Sequence, residues 1–258
     1  GSRHEEFQVI EAIGGGGYQY GWGPQDDQDS IDTIHRAIEA GINWIDTASV
    51  YGLGHSEEVV GRALKGIANK PYVFSKGGRV WDENRKVIDD QTTAAIRLQA
   101  ENSLRRLGVD VIDLYQIHWP FPTDQLEEGW AAMEQLRQEG KVRAIGVSNY
   151  SIEQMQRIMS IAPISTLQPP YSIIRPDIEQ EILPFCQQHN IGTLIYSPMQ
   201  SGLLTGGMTH ERVRNLPDND WRRNNANFQE PRLSRNLALA DLLTQIGEPH
   251  GRTAAEVA

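Results

Sequence analysis

The feature that most constrains this chain is an alternation. Short apolar segments recur at residues 43–46, 72–76, 111–118, 144–148, 166–168 and 192–196, with a further one around 8–14. Between most of them lie stretches of helical period with recognisable ends. Ile31, Ile34 and Ile38 share one face of a helix that stops at Gly41, a residue suited to the left-handed position after a helix. Ser56 is the expected N-cap of the next, with Glu57 and Glu58 at the positive end of its dipole. Ile96, Leu104 and Leu107 line a helix closed by Gly108, and Leu126, Trp130 and Met133 line one closed by Gly140. Ser151 caps a helix carrying Ile152, Met155 and Ile158, and a helical stretch over 177–189 holds Ile178, Ile182 and Cys186.

Strands that alternate with helices imply parallel βαβ units, right-handed at each crossover. The strands read as continuous apolar runs, as expected when both faces are covered. Seven units are countable, which favours a (β/α)8 TIM barrel of the α/β class over an open doubly wound sheet. The eighth βα unit is missing: the sequence stops inside a helical stretch, 252–258, with no further strand. Residues 1–258 are therefore read as a single barrel domain, C-terminally incomplete, with no linker and no low-complexity segment. The longest irregular stretch, 206–235, is polar, and a loop of that length is usually functional or mobile. Gly1-Ser2 carries no structural weight.

Composition removes several classes. With 39% hydrophobic and 22% charged residues, the 258-residue chain is ordinary for a protein with a real core. A net charge of −10 disfavours a sequence-independent grip on nucleic acid, and Arg105-Arg106 and Arg222-Arg223 are too short for a basic patch. No run approaches the ~20 apolar residues needed to span a bilayer. The lone Cys186 excludes an internal disulfide and reads as a small buried apolar residue; the seven histidines show no metal-ligand spacing. The expectation is a cytoplasmic protein without a metal.

In such a barrel the active site lies where the strands end. The strand ends, in order, are Asp46, Lys76, His118, Ser148-Asn149, Gln168 and Tyr196-Ser197, with Tyr51 just beyond the first. Asp, Tyr, Lys and His together have a chemical logic. A tyrosine phenol titrates near ~10, too high to share its proton readily at neutral pH. A lysine ammonium beside it stabilises the phenolate, and reaching about 7 takes roughly 4 kcal/mol. An aspartate paired to the lysine offsets the cost of burying it. A neutral histidine can then orient the oxygen that the tyrosine protonates. Such a site suits carbonyl reduction, with the hydride brought by a cofactor.

The segment Gly41-Ile-Asn-Trp-Ile-Asp46-Thr-Ala-Ser-Val-Tyr51-Gly52, continuing through Gly54-His-Ser-Glu-Glu to Gly61, resembles the signature of the aldo-keto reductases. Val73-Phe-Ser-Lys76 resembles the family's lysine strand, and Leu114-Tyr-Gln-Ile-His118-Trp-Pro its histidine strand. Gly146-Val-Ser-Asn149 and Tyr196-Ser-Pro-Met-Gln-Ser-Gly-Leu resemble its cofactor segments. The resemblance runs from about Gly41 to Gly206 in order and spacing. It implies a (β/α)8 barrel that reduces an aldehyde or ketone with NADPH, NADH staying open. Tyr51 is then the general acid, Lys76 and Asp46 its tuning pair, and His118 the carbonyl-orienting donor. Ser148, Asn149 and Gln168 would hold the nicotinamide carboxamide, and Tyr196 would stack on the ring. Ser197, Pro198, Met199, Gly202 and Leu203 would lie along the cofactor, with Ser197 and the Gly202-Leu203 turn facing the pyrophosphate. Arg222 and Arg223 are candidates to approach it. The sequence departs from the pattern in the Gly14–Gly17 run, at Gly207, where related members often carry lysine, and in having no segment beyond an eighth strand.

Other readings compete. One is an NADPH-binding redox-sensing regulatory subunit with little turnover, as in the potassium-channel β subunits; the complete tetrad, His118 included, favours the enzyme. A lyase or isomerase using Lys76 as a Schiff base is opposed by Asp46. The pairs Asp26-Asp27, Glu57-Glu58 and Asp89-Asp90 read as dipole-favouring charges at helix starts, His55 as a loop residue, and Trp130 and Met133 as core. Gly14–Gly17 reads as a flexible loop. Substrate choice belongs to loops 14–26, 79–90, 119–124 and 206–235, with Trp81, Trp119 and Trp221 as pocket walls or surface packing. Oligomeric state is open.

Overall fold

The computed structural model describes residues 9–11 and 25–258. Each of the seven predicted strands is present, and all seven join one parallel sheet: β1 (Val9–Glu11), β2 (Trp44–Asp46), β3 (Tyr72–Gly77), β6 (Ile112–Ile117), β7 (Val142–Ser148), β8 (Thr166–Gln168) and β9 (Gly192–Thr193). Spatial order equals chain order, the singly wound arrangement of a (β/α) barrel. The hydrogen-bonded register carries Lys76 beside Gln116, Gln116 beside Gly146, and Ser148 beside Gln168, so the polar strand ends are drawn to one end of the sheet. Among the described residues no strand follows β9.

Helices fill the crossovers: α1 (Asp27–Glu39), α2 (His55–Ala63), α3 (Thr93–Leu107), α4 (Leu126–Gln138), α5 (Ile152–Met159) and α6 (Ile182–Gln188). Gly41 and Gly108 take the left-handed positions assigned to them, and Ser151 closes a capping box with Gln154 at the start of α5. The apolar faces meet in a core that includes Ile45, Val60, Ile96, Leu107, Ile117, Trp130, Leu136 and Val147. The chain divides into two compact units, one of Gly1–Gln168 with Phe185–Thr193 and a second of Pro169–Pro184 with Leu194–Ala258. The second unit holds no strand longer than an isolated bridge; it packs α7 (His210–Arg214), α8 (Arg232–Gly247) and α9 (Ala254–Val257) over two small clusters, around Leu203 and Phe228 and around Leu204 and Leu243.

Four expectations are corrected. Ser56 is not a cap: α2 starts at His55 with Gly54 as its N-cap, two residues earlier than expected, and Ser56 Oγ lies 2.8 Å from Thr47 Oγ1. Residues 79–90 are not an open loop but an antiparallel hairpin, β4 (Arg79–Trp81) with β5 (Val87–Asp89). The stretch 206–235 carries α7 and two 3₁₀ turns, Trp221–Asn224 and Ala226–Phe228. The run 192–196 pairs in β9 only at its first two residues. The glycines at 14–17 lie outside the described residues.

Candidate active site

Successive side chains of a strand face opposite ways, and β3 uses both faces. Lys76, at its inner face, donates from Nζ to Asp46 Oδ2 at 2.6 Å and to the Thr47 carbonyl at 3.0 Å. The pair is buried, with side-chain exposures of 1% and 4%. Burying such a pair leaves further polar capacity to be met. Here Asp46 Oδ2 also accepts from Gln168 Nε2 at 3.0 Å, while Asp46 Oδ1 has no partner among the described residues.

Tyr51 opens a 3₁₀ turn, Tyr51–Gly54, that follows β2, and its N–H donates to the Ala48 carbonyl. Lys76 Nζ stands 5.4 Å from the centre of the Tyr51 ring, within cation–π range. The His118 ring meets the same tyrosine edge-on, 5.6 Å between centres at 82°. His118 sits just past β6, buried; desolvation first, and then the positive Lys76 and Arg79, hold its imidazole well below the usual histidine range. It is therefore neutral at physiological pH, with one ring N–H to give. The Trp119 ring lies nearly parallel to it, with 6.5 Å between centres.

Ser148 and Asn149 end β7 beside β8. Ser148 Oγ donates to the Gln168 carbonyl at 3.0 Å, and the Asn149 N–H to that same oxygen at 3.1 Å. Asn149 takes φ 64°, which turns its amide back to donate to the His118 carbonyl and to Ser148 Oγ. Sequence reasoning thus named seven residues that the first unit brings to one end of its sheet: Asp46, Tyr51, Lys76, His118, Ser148, Asn149 and Gln168. The amides of Asn149 and Gln168 offer donors and acceptors of the kind a carboxamide matches.

Tyr196, Ser197, Pro198, Met199, Gly202 and Leu203 lie in the second unit. Tyr196 bridges Pro170, donating to the Pro169 carbonyl and accepting from the Tyr171 N–H. Beyond it Ser197, Gln200, Ser201 and Gly202 all have positive φ, between 49° and 89°. Three of them are not glycine, and this strain is held by Gln200, whose Nε2 donates to Ser172 Oγ and the Ser197 carbonyl. Turns of this type present backbone N–H groups to an anion. Leu203 is fully buried and anchors the turn. Arg222 forms a fork with Asp220, and Arg223 donates to the Leu216 carbonyl.

Sequence reasoning missed three residues around this site. Gln91 is fully buried and donates to the carbonyls of Trp119 and Phe121, fixing the loop after His118; nothing in its spacing marks it. Glu57 does lie in the first turn of α2, but it is also a fully buried carboxylate held by Ser75 and Arg106. Asp89 belongs to the hairpin, paired with Arg79. Asp26 is the N-cap of α1, accepting from the Gln28 and Asp29 N–H groups, and Asp27 pairs with His55 and Arg62. No group of three or more metal-type ligands, and no helix long and apolar enough to cross a membrane, occurs among the described residues.

Residues 12–258 match the aldo/keto reductase family. The chain is 41% identical over 229 residues to the aldo-keto reductase YhdN of Bacillus subtilis (strain 168), spanning 88% of this chain and 68% of that protein. It is 38% identical over 217 residues to the NADH-specific methylglyoxal reductase of Escherichia coli (strain K12), spanning 78% of this chain and 65% of that one. Its fold is similar to the structure of the glycerol dehydrogenase AKR11B4 from Gluconobacter oxydans, with a TM-score of 0.86 and 43% identity over 95% of this chain and 75% of that one. The chain thus spans about two thirds of the length of these sequence relatives.

Proposed function

This chain belongs to the aldo/keto reductase family and is an oxidoreductase of the carbonyl–alcohol type, and from that premise we propose that it reduces a small aldehyde or ketone with NADPH, using Tyr51 as the general acid. The observation that carries the reading is the buried Lys76–Asp46 pair set against the Tyr51 ring, with a neutral His118 edge-on to the same ring. When bound, the cofactor supplies a hydride to the carbonyl carbon. Tyr51 gives its phenolic proton to the oxygen as negative charge develops there, and the Lys76 ammonium stabilises the phenolate left behind. Asp46 holds that ammonium in place where both side chains are buried. His118 donates its one N–H to the carbonyl oxygen and fixes it within reach of Tyr51. Because the histidine is neutral, it orients the oxygen without competing to protonate it.

The donor set fits a nicotinamide. Ser148, Asn149 and Gln168 would hold the carboxamide, and Tyr196 would stack on the ring. Ser197, Pro198, Met199, Gly202 and Leu203 would follow the pyrophosphate with their backbone. Preference for NADPH rests on the family resemblance, and one relative's name declares it NADH-specific. The single free thiol, Cys186, suits the reducing cytoplasm, where we place the reaction.

The test is turnover of a panel of small aldehydes and ketones with NADPH and with NADH, for the protein beside Tyr51→Phe. The variant is expected to lose about 10²- to 10⁴-fold in kcat, the range for a positioned proton donor, while still quenching tryptophan fluorescence on adding cofactor. Undiminished turnover by Tyr51→Phe would remove Tyr51 from the chemistry.

A further inference from the structure

Tyr51 is held by a costly piece of backbone. The three residues after it, Gly52, Leu53 and Gly54, have φ of 58°, 54° and 97°, and a left-handed leucine is uncommon. Such a turn has little preference of its own, so its surroundings must impose it. What lies against it is Arg106, from the last turn of α3. A Cβ placed on Gly54 would meet Arg106 Cδ at 3.0 Å and Nε at 3.1 Å, so the stem of the arginine covers the glycine directly. The guanidinium is pinned from two further sides. Its Nε and Nη2 donate to Glu57 Oε2 at 2.7 Å and 2.5 Å, and its plane lies over the Trp81 ring of β4 at 5.8 Å. Glu57 is fully buried, and its other oxygen accepts from Ser75, the residue before Lys76, at 2.5 Å. One side chain therefore ties the hairpin that follows the lysine strand, the strand itself and the tyrosine turn into a single body.

We propose that Arg106 is a positioning residue for Tyr51: through Gly54 and Glu57 it holds the 51–54 turn so that the phenol stays against Lys76 and His118. The proposal rests on the reading of Tyr51 as general acid only for its effect on turnover; the placement of the ring stands apart from it. An Arg106 that served only to neutralise a buried carboxylate would be dispensable once that charge was removed. An Arg106 that shapes the turn would not, because its planar, rigid fork and its stem are both used.

The experiment compares the protein with Arg106→Met, Arg106→Lys and the double variant Glu57→Gln/Arg106→Met. The phenol of Tyr51 is titrated by ultraviolet difference against the same background carrying Tyr51→Phe, and kcat and KM are measured for a reducible aldehyde. Lys76 and His118 are titratable groups that face the ring. All three variants are expected to move the Tyr51 midpoint up by about one unit, as the phenol drifts from the ammonium. They are expected to lower kcat about 10- to 100-fold, the scale of a small misplacement of a reacting group, with KM for the cofactor unchanged. Arg106→Lys keeps a positive charge for Glu57, so it remains folded and informative if the methionine variants do not. A double variant, or an Arg106→Lys variant, with the midpoint and kcat of the parent overturns the proposal. The titration reads where Tyr51 sits even if Tyr51→Phe proves fully active, so failure of the general-acid reading is seen separately.

Discussion

Two buried ion pairs flank β3, and they do different work. Lys76 and Asp46 meet on the inner face of the strand, 2.6 Å apart, each with at most 4% of its side chain exposed. Arg106 and Glu57 meet on the outer face at 2.5 Å, with Glu57 sealed but 16% of Arg106 still exposed. Adjacent residues decide which face is served: Ser75 donates outward to Glu57, Lys76 inward to Asp46. The inner pair places a charge where a reaction can use it. The outer pair holds backbone in place, and its cation has a partial escape to water. A buried pair is weak evidence for net stability, so the contrast is one of what each charge controls.

The largest expected effect breaks the inner pair. Lys76→Met strands the Asp46 carboxylate in an interior where Oδ1 already lacks a partner among the described residues, and removing one member of such a pair costs about 3–5 kcal/mol. Urea denaturation should show that loss together with loss of turnover. A protein as stable as the parent would mean that the pair matters only for chemistry.

His118 sharpens the comparison through pH. Its folded imidazole is held well below the usual value by desolvation and by Lys76 and Arg79, while in the unfolded chain it takes a proton below about 6.5. The unfolded state thus binds more protons below that pH, and stability falls as pH drops through 6.5 towards the depressed folded value. Denaturation midpoints at pH 7.5 and 5.5 should therefore diverge more for the parent than for His118→Gln. Equal divergence would assign the acid lability to other groups.

The smallest effect is a control remote from both pairs. Ser151→Ala removes the capping box of α5 and should cost about 1 kcal/mol, with kcat unchanged. A change in kcat would show that α5 is coupled to the site through Asn149.

The inner pair was legible in the sequence and the outer one was not. Asp46, Lys76 and His118 interrupt apolar runs at their ends, and a polar residue there stands out against a strand buried on both faces. Glu57 sits in the first turn of a helix beside Glu58, where an acidic residue has an ordinary explanation in the dipole. Only the packing of α2 against the end of α3 reveals its partner, 49 residues away. Gly61 allows that packing, since a Cβ there would run into the Arg106 carbonyl. The hairpin at 79–89 escaped for a similar reason: its strands are three residues each and carry charge, so alternation is too brief to register. Of the four left-handed positions at Ser197, Gln200, Ser201 and Gly202 only one is glycine, and the three residues of other types give no local warning of positive φ.

The sequence by itself determined the alternation of strands and helices, the parallel sheet in chain order, the caps at Gly41, Gly108 and Ser151, and the polar residues Asp46, Lys76 and His118 where strands end. These follow from local propensity and burial period, which act over a few residues. The tertiary structure alone decided that Glu57 is buried, that Gln91 fixes the loop after His118, and that Arg106 lies upon Gly54. Those depend on which distant side chain arrives at a given surface, and no local pattern encodes a partner supplied by another helix.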